Sequence, residues 1–409
     1  MSSPGQPTLP TVASLKAEPY RGGSQWMVAG GAIGVLLTAI TAIVAIATGS
    51  KEAFYSYLVA FAYWAGIGFA SVLLLMIFHA THARWMTILR RPLEAMAATM
   101  VIFIVLVIPI WIGMKDIYSW VDPAAAGFTG EALSRIKHKA PYLNVQFFII
   151  RNVVFILFAT FVGWRLFGLS LRQDREGGTA LLARQRRMSA GLLPFVALAI
   201  TFSAFDWLMS LNPTWFSTIY GVYYFAGSFL SALSILAIVT WQANLKNLFG
   251  GGMNVEHTHS IGKLMLAFTC FWTYIAFSQL LLIWIAGLPE ETPFYITRFK
   301  PGWAWLGIVL ILCHFFVPFG ALLSRSLKRN PQRLAIVAIW ILLVHYIDIY
   351  WLTMPALYPE GFSFHWTQPL AFAGVGLIAV AVGISRLRGR LPVPMRDPYL
   401  PESLRYRQP

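Results

Sequence analysis

Ten long apolar stretches alternate along the chain with short polar or basic segments. They lie at approximately 25–48, 54–82, 92–114, 143–168, 188–211, 217–243, 261–287, 302–324, 332–355 and 366–386. A helix needs about 20 mostly apolar residues to cross the hydrocarbon core of a bilayer. The pattern therefore predicts an all-α integral membrane protein with ten transmembrane helices. Residues 1–24 are polar and proline-bearing, without a short apolar core followed by a small-residue cleavage site, and are expected to be a retained tail.

Two of the apolar stretches are interrupted in the same way. Asp206 stands seven residues before Pro213, and Asp348 stands seven residues before Pro355. Aligning the two segments matches the fifth span to the ninth, and hence spans two to five to spans six to nine. Four spans is an even number, so the copies have the same orientation and form parallel repeats about an axis along the membrane normal. The expected layout is two four-helix bundles, 54–213 and 214–355, with two peripheral helices. These are the first helix and its loop, 25–53, and the tenth, 356–386, followed by a tail at 387–409. The prolines mark helix ends.

Composition supports the membrane assignment: 58% of residues are hydrophobic and 11% charged, and the mean hydropathy is +0.65. A soluble domain would carry about 25% charge. The net charge of +15 arises in the loops. About 23 lysines and arginines fall on the side of the termini and about seven on the other, so both termini are expected to be cytoplasmic. Nucleic acid is not an expected partner, because the basic residues follow this topological rule. Only Arg151 is read as a basic residue within a span. The two cysteines, Cys270 and Cys313, fall in apolar spans without C-x-x-C spacing. That excludes an iron–sulfur or zinc site built by this chain alone, and both are read as small buried hydrophobes. Trp85, Trp120, Trp215, Trp303 and Trp366 mark span ends as an interfacial belt. Gly30, Gly31 and Gly34 suit close helix packing. The loop at 115–142 is a candidate docking surface.

A carboxylate in hydrocarbon costs several kcal/mol unless it is paired, hydrated or protonated, so intramembrane acids are functional candidates. By residue count, Asp206 lies ~8 Å, Asp348 ~10 Å and Arg151 ~12 Å from the surface opposite the termini. These groups therefore share one depth band. Arg151 is in position to pair with Asp206, which suits a purely structural role equally well. His345 is one helical turn from Asp348, and no basic residue is read in the apolar part of the second half. An unpaired buried acid is one that takes up and releases protons. His79 and His82, Glu94, and His314 near mid-depth, with Ser278 and Gln279, are candidates for an aqueous path from the terminal side. For His79 and His82, lipid-headgroup contact is the simpler reading. His257 and His259 are read as solvated in a glycine-rich loop, with weak metal character. Of the eight histidines, only His314 and His345 lie well inside spans, at depths read as different, so no bis-histidine haem is expected.

The ten-span, four-plus-four layout, the Phe205-Asp206-Trp207-Leu208-Met209-Ser210-Leu211 segment, and Tyr142-Leu143-Asn144 with Phe148-Ile149-Ile150-Arg151 resemble the polysulfide-reductase (NrfD-like) membrane subunits. The continuation Trp215-Phe216-Ser217-Thr218-Ile219-Tyr220-Gly221 is similar to the two such subunits of bacterial alternative complex III. The length and compact tails are closer to the ActF type than to its larger ActC sibling.

The resemblance implies a membrane subunit of a quinol:electron-acceptor oxidoreductase in a bacterial inner membrane, delivering electrons to cytochrome c or a copper protein. It implies menaquinone or ubiquinone in the complex. Iron–sulfur clusters (ActB) and haem c (the multihaem cytochrome subunits) belong to partner chains, and this chain holds no redox centre. The ActC sibling is usually assigned the quinol pocket. An ActF-type chain is usually assigned a scaffold and proton-path role, which points here to Arg151, Asp206, His345 and Asp348. A stand-alone secondary transporter and a purely structural anchor are the competing readings.

Overall fold

The computed structural model describes residues 11–407 and is all-helical, with no β-strand among the described residues beyond the isolated bridge Gly302–Gly361. Among the described residues, ten helices are long and apolar enough to cross a membrane. They are Trp26–Thr48, Lys51–Ala80, Arg84–Ile112, Val145–Glu176, Ala180–Leu211, Tyr220–Leu245, Val255–Ala286, Pro301–Leu323, Pro331–Ala356 and Thr367–Leu387. The chain is thus a multi-pass, all-α membrane protein. All ten expected spans form, and the differences lie at their ends. The fourth and fifth helices continue well past the apolar stretches, to Glu176 and from Ala180, because their polar extensions remain good helix formers.

Local chemistry sets the helix boundaries. The side chains of Ser50, Asn144, Asn254 and Asn330 accept from backbone amides in the first turn of the second, fourth, seventh and ninth spans. Gly49 and Gly287 close the first and seventh spans in the left-handed conformation (φ 61° and 59°). The third span is irregular. It opens with the 3-10 turn Arg84–Leu89 and contains a second at Ala98–Ile102. The eighth span widens into a π-turn at Ile311–Phe316.

Spans two to five close into one four-helix ring and spans six to nine into another, with matching neighbours in each. The sixth span packs on both the second and the fifth and joins the rings. The second and sixth spans are the most enclosed, with 94% and 72% of their most apolar stretch buried. The first and tenth spans pair with each other beside the second. Gly34 is required in that pair: a Cβ there would lie 2.9 Å from both the Gly374 carbonyl oxygen and the Ile378 amide.

Ten is an even number of crossings, so the two terminal segments share a face, here called the terminal face; the opposite one is the far face. The segments bond to each other there, Tyr20 N–H to the Arg390 carbonyl (2.9 Å) and Gly389 N–H to the Tyr20 carbonyl (2.8 Å). The final segment is docked as well. Its helix Leu400–Leu404 packs on the 3-10 turn of the third span, and the Ser403 hydroxyl donates to the Trp85 carbonyl (2.8 Å).

Candidate functional site

Arg151 and Asp206 meet in the first bundle. Arg151 Nη2 donates to Asp206 Oδ1 (2.7 Å) and Nε to Oδ2 (3.0 Å), while Nη1 donates to the Tyr142 carbonyl (2.8 Å). Its guanidinium lies over the rings of Tyr142 (3.7 Å) and Phe147 (4.3 Å). Arg151 is 5% exposed and Asp206 fully buried. The charges are therefore matched, bonded in fork geometry and covered by aromatic faces. Neighbouring groups lock the site further: Trp207 Nε1 donates to Asn152 Oδ1 (2.5 Å), and the Tyr118 hydroxyl donates to the Trp207 carbonyl (3.2 Å).

In the second bundle, Asp348 has no contacting cation of this kind. It is fully buried. Its Oδ1 accepts from the Tyr223 hydroxyl (2.5 Å) and its Oδ2 from Trp272 Nε1 (3.2 Å), donors from the sixth and seventh spans. His345 Nδ1 lies 3.4 Å from Oδ2. The His345 ring sits against the backbone at Gly227, where a Cβ would come within 2.5 Å of Cε1. Only glycine admits the ring at that depth. His314 stands on the π-turn of the eighth span, with its ring 4.0 Å from that of Trp272 and 5.8 Å from that of His345. Neither ring nitrogen of His314 or His345 has a hydrogen-bond partner. The expectation that these two histidines differ in depth is overturned. The extra residue in the π-turn rotates His314 inward, and the two imidazoles stack.

The equivalence of the two aspartates is partial. The α-helix bearing Asp206 ends at Trp207, whereas the helix bearing Asp348 continues to Thr353. The Ser210 hydroxyl takes the Asp206 carbonyl (2.5 Å) where a helical amide is missing. Each bundle also places a cation at the far-face end of this helix, ahead of the next inward span. Lys139 Nζ donates to the Pro213 (2.7 Å) and Trp215 (3.2 Å) carbonyls. Arg298 Nη2 donates to the Leu352 carbonyl (2.8 Å). Arg298 satisfies a last-turn carbonyl of its helix, and Lys139 satisfies carbonyls of the loop just past its helix.

Arg298 adds a buried cation to the second half, between spans and outside the apolar stretches. It lies on the short helix Pro293–Phe299 and is 1% exposed, with its guanidinium 3.5 Å from the Phe294 ring. Burial pushes its pKa down to about 10. It bonds one helical turn beyond Asp348 and makes no ion pair among the described residues, so it supplies positive potential without neutralising the acid by contact. Burial likewise lowers the pKa of Lys139.

Glu94 is the centre of a charge cluster on the terminal side. It contacts Arg90 (3.2 Å) and Arg91 (3.0 Å), and these in turn pair with Asp397 and Asp174. Arg90 and Arg91 were expected in a loop, but the early start of the third span draws them into the protein, where three carboxylates compensate them. Arg151 is thus not the sole basic residue within a span. Gln279 is also corrected. It donates to the Tyr295 hydroxyl (3.1 Å) near the far-face end of the seventh span, so it and Ser278 line no path on the terminal side. His79 ends the second span there, and His82 lies just past the helix in the left-handed conformation (φ 51°).

His257 and His259 are not solvated. The seventh span starts at Val255, His257 forms a capping box with Asn254, and both histidines are buried. Cys270 is exposed and Cys313 half-buried, since apolar residues of a span also face lipid. Trp120, Trp215 and Trp303 are buried rather than interfacial. Trp215 Nε1 donates to the Glu291 carbonyl (2.9 Å) and Trp303 Nε1 to the Tyr358 carbonyl (2.8 Å), which fastens the far-face loops. Sequence reasoning missed Tyr223, Trp272 and Arg298. No protein-family model and no curated protein matches the chain.

Proposed function

We propose that this chain is the ActF-type membrane subunit of a quinol:electron-acceptor oxidoreductase of the alternative complex III kind. In this reading it acts as the scaffold and proton path beside the ActC sibling, the iron–sulfur ActB subunit and the multihaem cytochrome c subunits. Its termini are cytoplasmic and its membrane is a bacterial inner membrane. Iron–sulfur clusters and haem c stay with the partner chains, and menaquinone or ubiquinone is the pool reductant.

One observation carries the proton reading. Asp348 is fully buried and bonded by neutral donors, beside two histidines whose ring nitrogens are unpartnered. Such a group changes charge at lower cost than an acid locked to arginine. Asp348 Oδ2 and His345 Nδ1 are near enough for one proton to serve either, and His314 extends the chain of acceptors. Moving a proton against 100 mV costs about 2.3 kcal/mol, so coupling needs a gate beyond a wet pore.

The test is the purified complex in sealed vesicles. Co-elution with haem c and iron–sulfur absorbance supports the assembly. Asp348→Asn is expected to lower the protons moved per electron while quinol oxidation continues, and an unchanged ratio removes the proton path. The transporter reading is favoured by the π-turn of the eighth span and the broken third span, since interrupted helices mark substrate sites in transporters. It predicts transport by the isolated chain.

A further inference from the structure

On the terminal face, away from the Asp348 cluster, the second, third and fifth spans enclose a cavity of about 230 Å³. That is about the liquid volume of eight waters. Its floor is apolar, formed by Leu75, Phe78 and Leu93. Cationic or titratable side chains also line it: His79, His82, Arg84, Arg90 and Arg186. No carboxylate lines it. Glu94 and Asp397 lie behind Arg90, and Glu402 binds Arg84 at the rim (2.7 Å).

Two features aim positive charge into this space, Arg90 and the opening of the fifth span, and His79 adds an unpartnered ring nitrogen. Arg90 is 7% exposed and its Nη2 has no partner. The buried Nε2 of His79 is also unpartnered. Thr179 and Ala180, which open the fifth span, line the cavity, so the free amides of a 28-residue helix point toward it, with no acid in the first turn. Arg186, exposed on the same helix, makes no ion pair. The Arg84 guanidinium lies 4.8 Å from the Tyr399 ring, so the docked C-terminal segment forms one wall.

We propose that this cavity binds the phosphate of an anionic phospholipid, with the acyl chains leaving along the apolar floor. The cavity sits where the second span ends, at headgroup depth, and basic pockets between transmembrane helices suit such headgroups. The left-handed backbone of His82 fits this role, because it turns the chain immediately after the helix and presents the imidazole to the cavity wall. The assignment does not rest on the electron-transfer reading.

The test is titration of the delipidated, full-length protein with phosphatidylglycerol, phosphatidylcholine or inorganic phosphate, followed by native mass spectrometry and thermal shift. Phosphatidylglycerol is expected to bind and stabilise, and phosphatidylcholine is not. Arg186→Gln is expected to weaken phosphatidylglycerol about fivefold, the effect of one cation near a membrane surface. Adding His82→Asn, which tolerates the left-handed backbone, weakens it further. Arg184→Gln, outside the cavity on the same helix, leaves it unchanged. Equal binding of phosphatidylcholine, or an equal loss in Arg184→Gln, overturns the site. Inorganic phosphate that displaces the lipid at equal concentration overturns the lipid assignment and makes this a soluble-phosphate site.

Discussion

The two bundles place an aspartate at comparable points of the fifth and ninth spans and treat it in opposite ways. Asp206 is closed off by a forked arginine under two aromatic faces, and every neighbour fixes that geometry. Asp348 is given a phenol, an indole and two histidines with free nitrogens. The same charge is bonded to an arginine in one bundle and to neutral donors in the other. Besides the different helix ends, the neighbours differ: an arginine projects from the fourth span, against a histidine on the π-turn of the eighth. A buried ion pair holds helices in place because either partner alone is intolerable.

That contrast is broken most severely at Arg151. Arg151→Met strands the buried Asp206 charge and is expected to destabilise the protein by about 3–5 kcal/mol, read as loss of folded yield and a lowered thermal midpoint. Combining it with Asp206→Asn should recover much of the loss, because no uncompensated charge remains. An intermediate effect is expected at Tyr223→Phe. Removing a hydrogen bond to a charged group costs about 1.5–3 kcal/mol, but the fold persists because Trp272 still serves the carboxylate. The smallest effect is expected for Asp348→Asn: less than about 1 kcal/mol, since the amide oxygen still accepts a hydrogen bond. Denaturation of the three variants in one detergent checks the order. If Asp348→Asn were as damaging as Arg151→Met, both acids would be fastenings and the contrast would vanish.

Much of the fold was legible in the chain. Hydrocarbon demands continuous apolar helices, so ten spans and the even-numbered repeat followed from residue pattern alone. Asp206, Asp348, Arg151 and His345 stood out because a charge in an apolar run has few explanations. Their neighbours were hidden for physical reasons. Tyr223 and Trp272 are residue types that membrane helices carry widely, and nothing local distinguishes a carboxylate donor. Arg298 lies between spans and counted only among the basic residues of the loops. The run Pro293-Phe294-Tyr295-Ile296-Thr297-Arg298-Phe299 is nonetheless apolar enough, with proline at its first position, to signal a short buried helix. The inward turn of His314 depends on one extra residue in a helical turn, which composition does not report. Similarly, Asn254 three residues before His257 is a cap signal that outweighs the neighbouring glycines.

Infrared difference spectroscopy of the purified protein as pH is varied tests the central claim most directly, because it needs no partner subunit. A protonated-carboxyl band that grows and fades with pH is expected in the wild type. It should vanish in Asp348→Asn, and the spectrum of His345→Gln should show it displaced. The absence of any such band, or its survival in Asp348→Asn, would contradict the assignment of Asp348 as the proton-exchanging acid.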